Sequence, residues 1–155
     1  DEVLRLGQNQ VGYSYRAVVS YMDSQGTREV LYTNPSETID NLDDPVQGEV
    51  VIVGKPTEGV TLRALSDSLS DEDGIASISI SWETSKDGRN WTSVNSLSGP
   101  ILPLNQSLVG SQIRSRVAVV DNFGIETILY SQATRTVENV NNRPSGRIII
   151  RRVGE

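Results

Sequence analysis

The sequence predicts an all-β fold in which two antiparallel sheets pack face to face around one core. Apolar residues alternate with polar ones at a period of two, turn sequences separate the alternating runs, and no stretch has a convincing helical pattern. The chain has 155 residues, of which 36% are hydrophobic, and this is enough for one ordinary domain. We therefore expect one complete sandwich of about seven strands, with smaller pieces on either side.

The alternation places each strand in order along the chain. Ile78, Ile80 and Trp82 alternate with serines, and Val117 stands at an equivalent inward position of a later run. We expect these four side chains to lie together in the core, because alternate residues of a strand share one face. Sequences typical of turns, rich in Asp, Asn, Gly and Pro, separate the runs. The predicted strands are 48–53, 60–65, 76–84, 90–94, 100–104, 112–120 and 125–131.

An internal repeat predicts the domain boundaries. The motif Leu-x-Leu-x-Gln-x-x-Val-Gly begins at Leu4 and recurs at Leu102, 98 residues later, and the same register continues without a gap to Gly48 and Gly146. This period is the size of a β-sandwich domain and too long for a solenoid unit. The predicted parts are the C-terminal half of a preceding repeat (1–45), one complete repeat (46–138), and a linker with the first strand of the next repeat (139–155).

The half-repeat should expose a sheet face and strand edges that a complete sandwich would cover. The segment 146–152 has the sequence of a first strand and could be donated to the half-repeat, within one chain or from a neighbouring copy. Disorder of that segment, or an independent small sheet, is the alternative.

Composition excludes several classes of function. Lys and Arg number 14 against 20 Asp and Glu, for a net charge of -6, and no basic run is long enough to follow a phosphate backbone, so we expect no nucleic-acid partner. The longest apolar stretches are too short for membrane insertion. The chain starts without a secretion signal, so we expect any such signal to lie outside this fragment.

The chain has no Cys and no His, which removes thiolate nucleophiles, imidazole bases, disulfides and most zinc ligand sets. Any bound metal should therefore be a hard cation with oxygen ligands. Paired carboxylates could in principle hydrolyse glycosides, but no pair stands in an apolar setting. Lys55 and Lys86 lie in predicted turns, which disfavours a buried isopeptide crosslink. We predict that the protein is not an enzyme.

The densest acidic cluster is a candidate metal site. Asp67, Asp71, Glu72 and Asp73 place four carboxylates within seven residues, and Gly74 follows them. Calcium would take Asp71 and Asp73 as ligands together with a loop carbonyl. The loop is not a complete EF-hand, because a tryptophan stands where the closing Glu should be. The alternative is a solvated loop in which Asp and Gly serve turn geometry.

The junctions between repeats carry further oxygen ligands. Asp43 and Asp44 at the first junction could complete a calcium site with the acidic loop, whereas Asn141, Asn142 and Arg143 occupy the second junction. A polar linker that ends at a proline is the alternative for both. Asp23 and Asp121 each precede a glycine by three residues, which is typical of a type I turn, and we assign both to turns.

One tryptophan is a candidate ligand-binding residue. Trp91 lies nine residues from Trp82, across the Asp87-Gly88 turn. Trp82 is expected in the core, but Trp91 could stack on a sugar ring at the surface. Its exposure distinguishes a glycan- or protein-binding module, which needs a free aromatic face, from an inert spacer.

Several motifs together resemble a known family. They are Gly-x-Val-x-Ile-x-Gly from Gly48, Leu-x-Asp-x-Asp-Gly from Leu69, Trp-x-x-Ser-x-Asp-Gly-x-x-Trp from Trp82, and Asp-x-x-Gly from Asp121. In combination they resemble the tandem Ig-like, cadherin-like repeats of large bacterial RTX-type and biofilm-associated surface adhesins. The resemblance implies an Ig-like β-sandwich, secretion or a bacterial cell-surface location, a spacer or adhesive role, neighbouring repeats as partners, and calcium at loops or linkers. Asn141, Asn142 and Arg143 depart from the acidic junction usual in this family.

Overall fold

The computed structural model describes residues 3–149, with the side chains of residues 95–97 excepted. Within these residues the chain forms strands and two short 3-10 turns, at Gln8–Gln10 and Gln106–Leu108, and has no α-helix. The predicted all-β fold is confirmed. The strands are β1 (Val18–Met22), β2 (Arg28–Tyr32), β3 (Val51–Val53), β4 (Thr61–Leu65), β5 (Ile75–Ser85), β6 (Thr92–Ser98), β7 (Ile101–Pro103), β8 (Gln112–Asp121) and β9 (Glu126–Tyr130).

Two antiparallel sheets build the central part of the chain. One sheet has the strand order β3-β4-β7 and the other has the order β6-β5-β8-β9. Leu62 and Leu102 of the first sheet form one buried cluster with Trp82 and Ile113 of the second, and all four are 0% exposed. The sheets therefore pack face to face, because a cluster with members from both can lie only between them.

One predicted core residue lies elsewhere. Trp82 and Val117 are fully buried and Ile80 packs against the core, as alternation predicts. Ile78 has the same parity but is 38% exposed, so its assignment to the core was wrong. The reason is that β6 pairs with β5 only from Ser81 onward, so Ile78 lies on a part of β5 that has a neighbouring strand on one side only.

The hairpin β1–β2 stands apart from these sheets. Its strands pair antiparallel from Val18↔Tyr32 to Met22↔Arg28, and every strand residue is exposed. The hairpin lies 98 residues before the matching parts of β8 and β9, so the period of 98 remains a prediction that the strand positions support.

Hydrogen bonds outside the hairpin occur at the same spacing. Gly12 N–H donates to Ile39 O at 2.9 Å, and 98 residues later Gly110 N–H donates to Val137 O at 3.0 Å. Gln8 and Asn41 share a side-chain hydrogen bond at 3.1 Å, and so do the residues at the matching positions, Gln106 and Asn139, at 3.2 Å.

The proposed strand donation finds no support in the described residues. Residues 146–149 belong to no strand and pair with no part of the half-repeat. Residues 150–152, the remainder of that segment, lie outside the described residues.

Three loops meet at one end of the sandwich, and we call this end the acidic pole: residues 43–48, 66–74 and 121–125. Gln47 pairs with Ser70, and Ile75 at the start of β5 pairs with Asp121 at the end of β8. The three loops contain seven acidic residues and no Lys or Arg. The acidic pole therefore accounts for most of the molecule's net negative charge.

Candidate metal centre

Three carboxylates from different parts of the chain converge at the acidic pole. Asp43 comes from the linker, Asp73 from the loop between β4 and β5, and Asp121 from the end of β8. One carboxylate oxygen of each lies within 4.8 Å of the other two. Oxygen ligands on opposite sides of a calcium ion are about 4.8 Å apart, because each lies about 2.4 Å from the metal. The three groups could therefore hold one metal ion.

The acidic loop is shaped by its own hydrogen bonds. Asp73 N–H donates to Asp71 Oδ1 at 2.8 Å, and Gly74 N–H donates to Asp71 O at 3.0 Å. Gly74 has a φ of +78°, and a Cβ built there would collide with the side chain of Asn122. The left-handed backbone therefore favours glycine at this position, and the end of the Asn122 side chain would have to move to admit a Cβ.

Asp121 uses its two oxygens differently. Its Oδ1 accepts hydrogen bonds from Phe123 N–H at 2.8 Å and Ile125 N–H at 2.7 Å, so the predicted turn role is correct for this oxygen. Its Oδ2 is buried and has no hydrogen-bond partner among the described residues. The turn thus fixes the carboxylate and leaves one oxygen free for another contact.

Asp73 likewise has one carboxylate oxygen that accepts a hydrogen bond and one that does not. Its Oδ2 accepts Asp44 N–H at 3.1 Å, whereas its Oδ1 is buried without a partner in the described residues. Asp73 is only 4% exposed and Asp121 only 3%. A buried carboxylate oxygen without a hydrogen bond is costly, and most such groups in proteins have a partner or a bound ion. These two orphan oxygens are the strongest indication of a cation.

The electrostatics of the linker carboxylate agree with this geometry. The pKa of Asp43 is raised above its ordinary value of 3.8, first by partial desolvation and then by the negative charges of Asp121, Asp73, Asp71 and Asp44. Arg63, the basic residue closest in sequence to the acidic loop, lies on β4 and forms no ion pair with these carboxylates within the described residues. Among the described residues, no basic side chain forms an ion pair with these acidic groups to relieve their repulsion.

The predicted ligand residues have different positions in the structure. Asp43 and Asp73 are brought together, and Asp44 contributes a backbone N–H to Asp73. Asp71 acts within the loop as the acceptor of Asp73 N–H. Asp67 is exposed and is not one of the three converging residues.

Sequence reasoning did not find the third member, Asp121. A signal was present, because antiparallel pairing of the predicted strands 76–84 and 112–120 places the end of the second beside the start of the first. That pairing would have placed Asp121 next to the acidic loop before any coordinates were known.

The predicted linker also borders a groove that has residues from both sides of the predicted junction in its walls. The groove has a volume of about 290 Å³, and its walls include Gln8, Ile39 and Leu42 before the junction and Asp44 and Glu72 beyond it. The same linker segment thus contacts both neighbours and carries a carboxylate of the candidate metal centre.

Trp91 lies at a different place, on the outer face of the four-stranded sheet. The Arg114 guanidinium stacks over its ring at 4.3 Å and over the Tyr130 ring at 4.1 Å, and pairs with Glu83 at 2.6 Å. Trp91 is therefore half-buried, with one face of its ring in contact with Arg114. This arrangement joins residues from or next to all four strands.

Comparison of the chain with protein-family models, with curated proteins and with solved structures finds no match. In the described residues no helix has the length and apolar character to span a membrane. The functional argument therefore depends on the site itself.

Proposed function

We propose that this chain is a non-enzymatic extender module of a secreted or cell-surface repeat protein of the adhesin type, and that calcium stiffens the joint between its repeats. The observation that carries the proposal is the pair of buried oxygens on Asp73 and Asp121 without a hydrogen-bond partner among the described residues, on two carboxylates that converge with that of Asp43 in the linker. In this proposal, the joint between the repeats is the functional site, and the β-sandwich acts as a spacer.

Calcium is the cation that the available donors favour. Carboxylate and carbonyl oxygens suit a hard ion, and the chain has no His or Cys to favour zinc or copper. Calcium accepts six to eight oxygen ligands in flexible geometry, so three carboxylates would leave room for backbone carbonyls and water. Magnesium needs a near-ideal octahedron and is the less suitable ion for ligands from three separate segments.

A role at the joint follows from the origin of the ligands. Asp43 belongs to the linker, whereas Asp73 and Asp121 belong to the central repeat. A cation shared by them would fix the linker against the sandwich, in addition to the hydrogen bond from Asp44 N–H. The matching positions at the second junction are Asn141 and Asn142, so that junction lacks the linker charge.

The alternative of a glycan-binding module has weaker support. A sugar platform needs an open aromatic face, and Arg114 covers one face of Trp91. Arg114 is itself held by Glu83, and exposing that face would break the ion pair. The stack is more readily explained as a set of contacts that stabilises the four-stranded sheet.

Thermal unfolding of the whole chain in calcium and in chelator tests the proposal. A cation that binds only the folded state stabilises it by RT ln(1 + [L]/Kd), about 2.7 kcal/mol at a hundredfold excess over Kd. We expect the melting temperature to rise in millimolar calcium, and we expect the double variant Asp73→Asn with Asp121→Asn to lose the rise. Asp67→Asn, at the exposed acid of the same loop, is the matched control and should keep it.

Identical melting curves in calcium and in chelator, with no heat of binding by calorimetry, would contradict the calcium proposal. An equal response of the Asp67→Asn and the double variant would reduce the effect to nonspecific charge screening. A response to magnesium as large as that to calcium would contradict the choice of ion.

A further inference from the structure

The inner strand β5 has an edge that no described residue covers. In the sheet order β6-β5-β8-β9, β8 pairs with β5 along nearly its whole length, but β6 pairs with it only between Ser81 and Thr84. Gly99 N–H extends this contact by one residue, to Ile80 O at 2.8 Å. Residues 75–79, which we call the β5 edge, therefore have a strand on one side only in the part of the chain that the structure describes.

The backbone of Ile78 points out of this edge. Alternate residues of an antiparallel strand direct their N–H and C=O groups to the same side. Because Ile80 O accepts a bond from the β6 side, Ile78 also directs its N–H and C=O to that side. Residues 76–79 are all exposed, and no described strand pairs with them on that side.

The β5 edge has none of the features that commonly protect an exposed strand edge from pairing with another strand. The sequence Ile75-Ala-Ser-Ile-Ser contains no charge and no proline, and isoleucine favours strands. Three of the four edge strands of the two sheets have such a feature: β7 ends in Pro103, β9 begins with Glu126, and β3 has three residues. The fourth, β6, has neither charge nor proline, but it is polar at five of its seven positions. Proline, charge and short length are common protections against strand pairing.

We infer that the β5 edge pairs antiparallel with the β5 edge of a second copy, with Ile78 opposite Ile78. A twofold axis at this residue lets each Ile78 donate its N–H to the other and accept in return, so the edge is complementary to itself. The segment is neutral in a molecule of net charge -6, so this is a place where two copies approach without direct repulsion between side chains of the pairing strands.

The side chains favour the same partner. Ile78 lies on the sheet face of Ile80 and Trp82 and is 38% exposed, so two copies would bring two isoleucines into contact beside the core. A foreign peptide would have to supply an equivalent apolar residue, whereas a second copy has it by symmetry. One such contact is small, and tandem repeats would strengthen it by raising the effective concentration. The contact does not depend on the metal centre.

Sedimentation of the whole chain over a range of concentrations tests this inference. We expect the mass to approach that of a dimer as concentration rises, equally in calcium and in chelator. Ile78→Lys should abolish the rise, because it places a charge in the centre of the pairing edge. Leu31→Lys on β2 is the matched control, because Leu31 is also an exposed aliphatic strand residue, and it should dimerise like the wild type.

Because the chain has no cysteine, Ile78→Cys provides a second measurement that is independent of whether Ile78→Lys folds. A short bifunctional thiol reagent should crosslink Ile78→Cys into a dimer and should not crosslink Val51→Cys, an exposed valine on β3. A chain that remains monomeric at millimolar concentration would overturn the inference. So would dimers that Leu31→Lys abolishes and Ile78→Lys preserves. A monomer that binds a synthetic 75–81 peptide would instead assign the edge to a foreign strand.

Discussion

At the scale of single residues, the two oxygens of one carboxylate have separate roles. Asp121 closes the turn after β8 with Oδ1 and keeps Oδ2 buried without a partner among the described residues, on a carboxylate that converges with those of Asp73 and Asp43. The turn signature, an Asp three residues before a Gly, predicts the first role from sequence. The second role needs the position of a loop nearly fifty residues away, which local pattern does not contain.

We expect the order of stability of the wild type and Asp43→Asn to reverse between chelator and calcium. Its raised pKa means that the folded state holds the proton more tightly than the unfolded state, so its contribution is stabilising at low pH and is lost as pH rises from 3.8 through the raised value. At neutral pH in chelator, Asp43→Asn should therefore melt above the wild type. In calcium it should melt below, because a ligand is missing. Thermal melts in both buffers measure this; the same order in both would contradict it.

Asp87→Asn is the control for this reversal of stability between the two buffers. The backbone N–H groups of Asn90 and Arg89, with the side chains of Asn90 and Ser85, lower the pKa of Asp87. Its contribution is present above the ordinary pKa and is lost as pH falls through the lowered value. Asp87→Asn should therefore destabilise the protein at neutral pH equally in calcium and in chelator.

Trp82 should be the most costly single truncation in the core. It is 0% exposed, and its Nε1–H donates to Gly99 O at 2.9 Å. Trp82→Ala removes buried area and leaves a cavity, so we expect a loss of about 3 to 5 kcal/mol in the free energy of unfolding by urea denaturation. Trp91→Ala, at the half-buried tryptophan, should cost distinctly less, and equal losses would contradict this account of the core.

At the scale of elements, five of the seven predicted strands, short and long, end within one residue of the observed strands, and only 48–53 and 90–94 do not. The predictions 76–84 and 112–120 differ by one residue at each end or less from β5 (Ile75–Ser85) and β8 (Gln112–Asp121), because each carries several periods of alternation. The prediction 48–53 became β3 (Val51–Val53), and 90–94 became β6 (Thr92–Ser98). The pairing of β6 shifts between Ser81 and Glu83 of β5, and such a bulge depends on the partner strand and not on local sequence.

Arg114 should stabilise the four-stranded sheet as a unit. It stacks on Trp91 and Tyr130 and pairs with Glu83, whose side chain is only 14% exposed. Arg114→Met should cost about 3 kcal/mol, because it leaves Glu83 partly buried without its counter-ion. Adding Glu83→Gln should recover part of the loss in a double-mutant cycle followed by urea denaturation. Strictly additive effects would show that the pair is not coupled.

At the scale of the whole molecule, the repeat predicts which fragment folds and which fragment responds to the metal. Residues 46–138 contain both sheets and the whole core, so we expect a cooperative thermal transition by circular dichroism. The fragment lacks Asp43 and should show a reduced response to calcium, whereas 40–142 should respond as the full chain does. An unfolded 46–138 would contradict the domain boundary, and an undiminished response would remove the linker from the site.

The path of the chain through the central repeat has a mechanical consequence. Thr57, just after the first strand of the repeat, forms a parallel bridge with Glu138, where the chain leaves. Glu58 N–H donates to Glu138 O, and Glu138 N–H donates to Pro56 O, both at 2.9 Å. Tension between the two ends pulls these parallel segments in opposite directions along their length, so the bonds are loaded together in shear instead of opening one at a time. Under such tension, this contact between the exit segment and the segment after β3 would resist stretching.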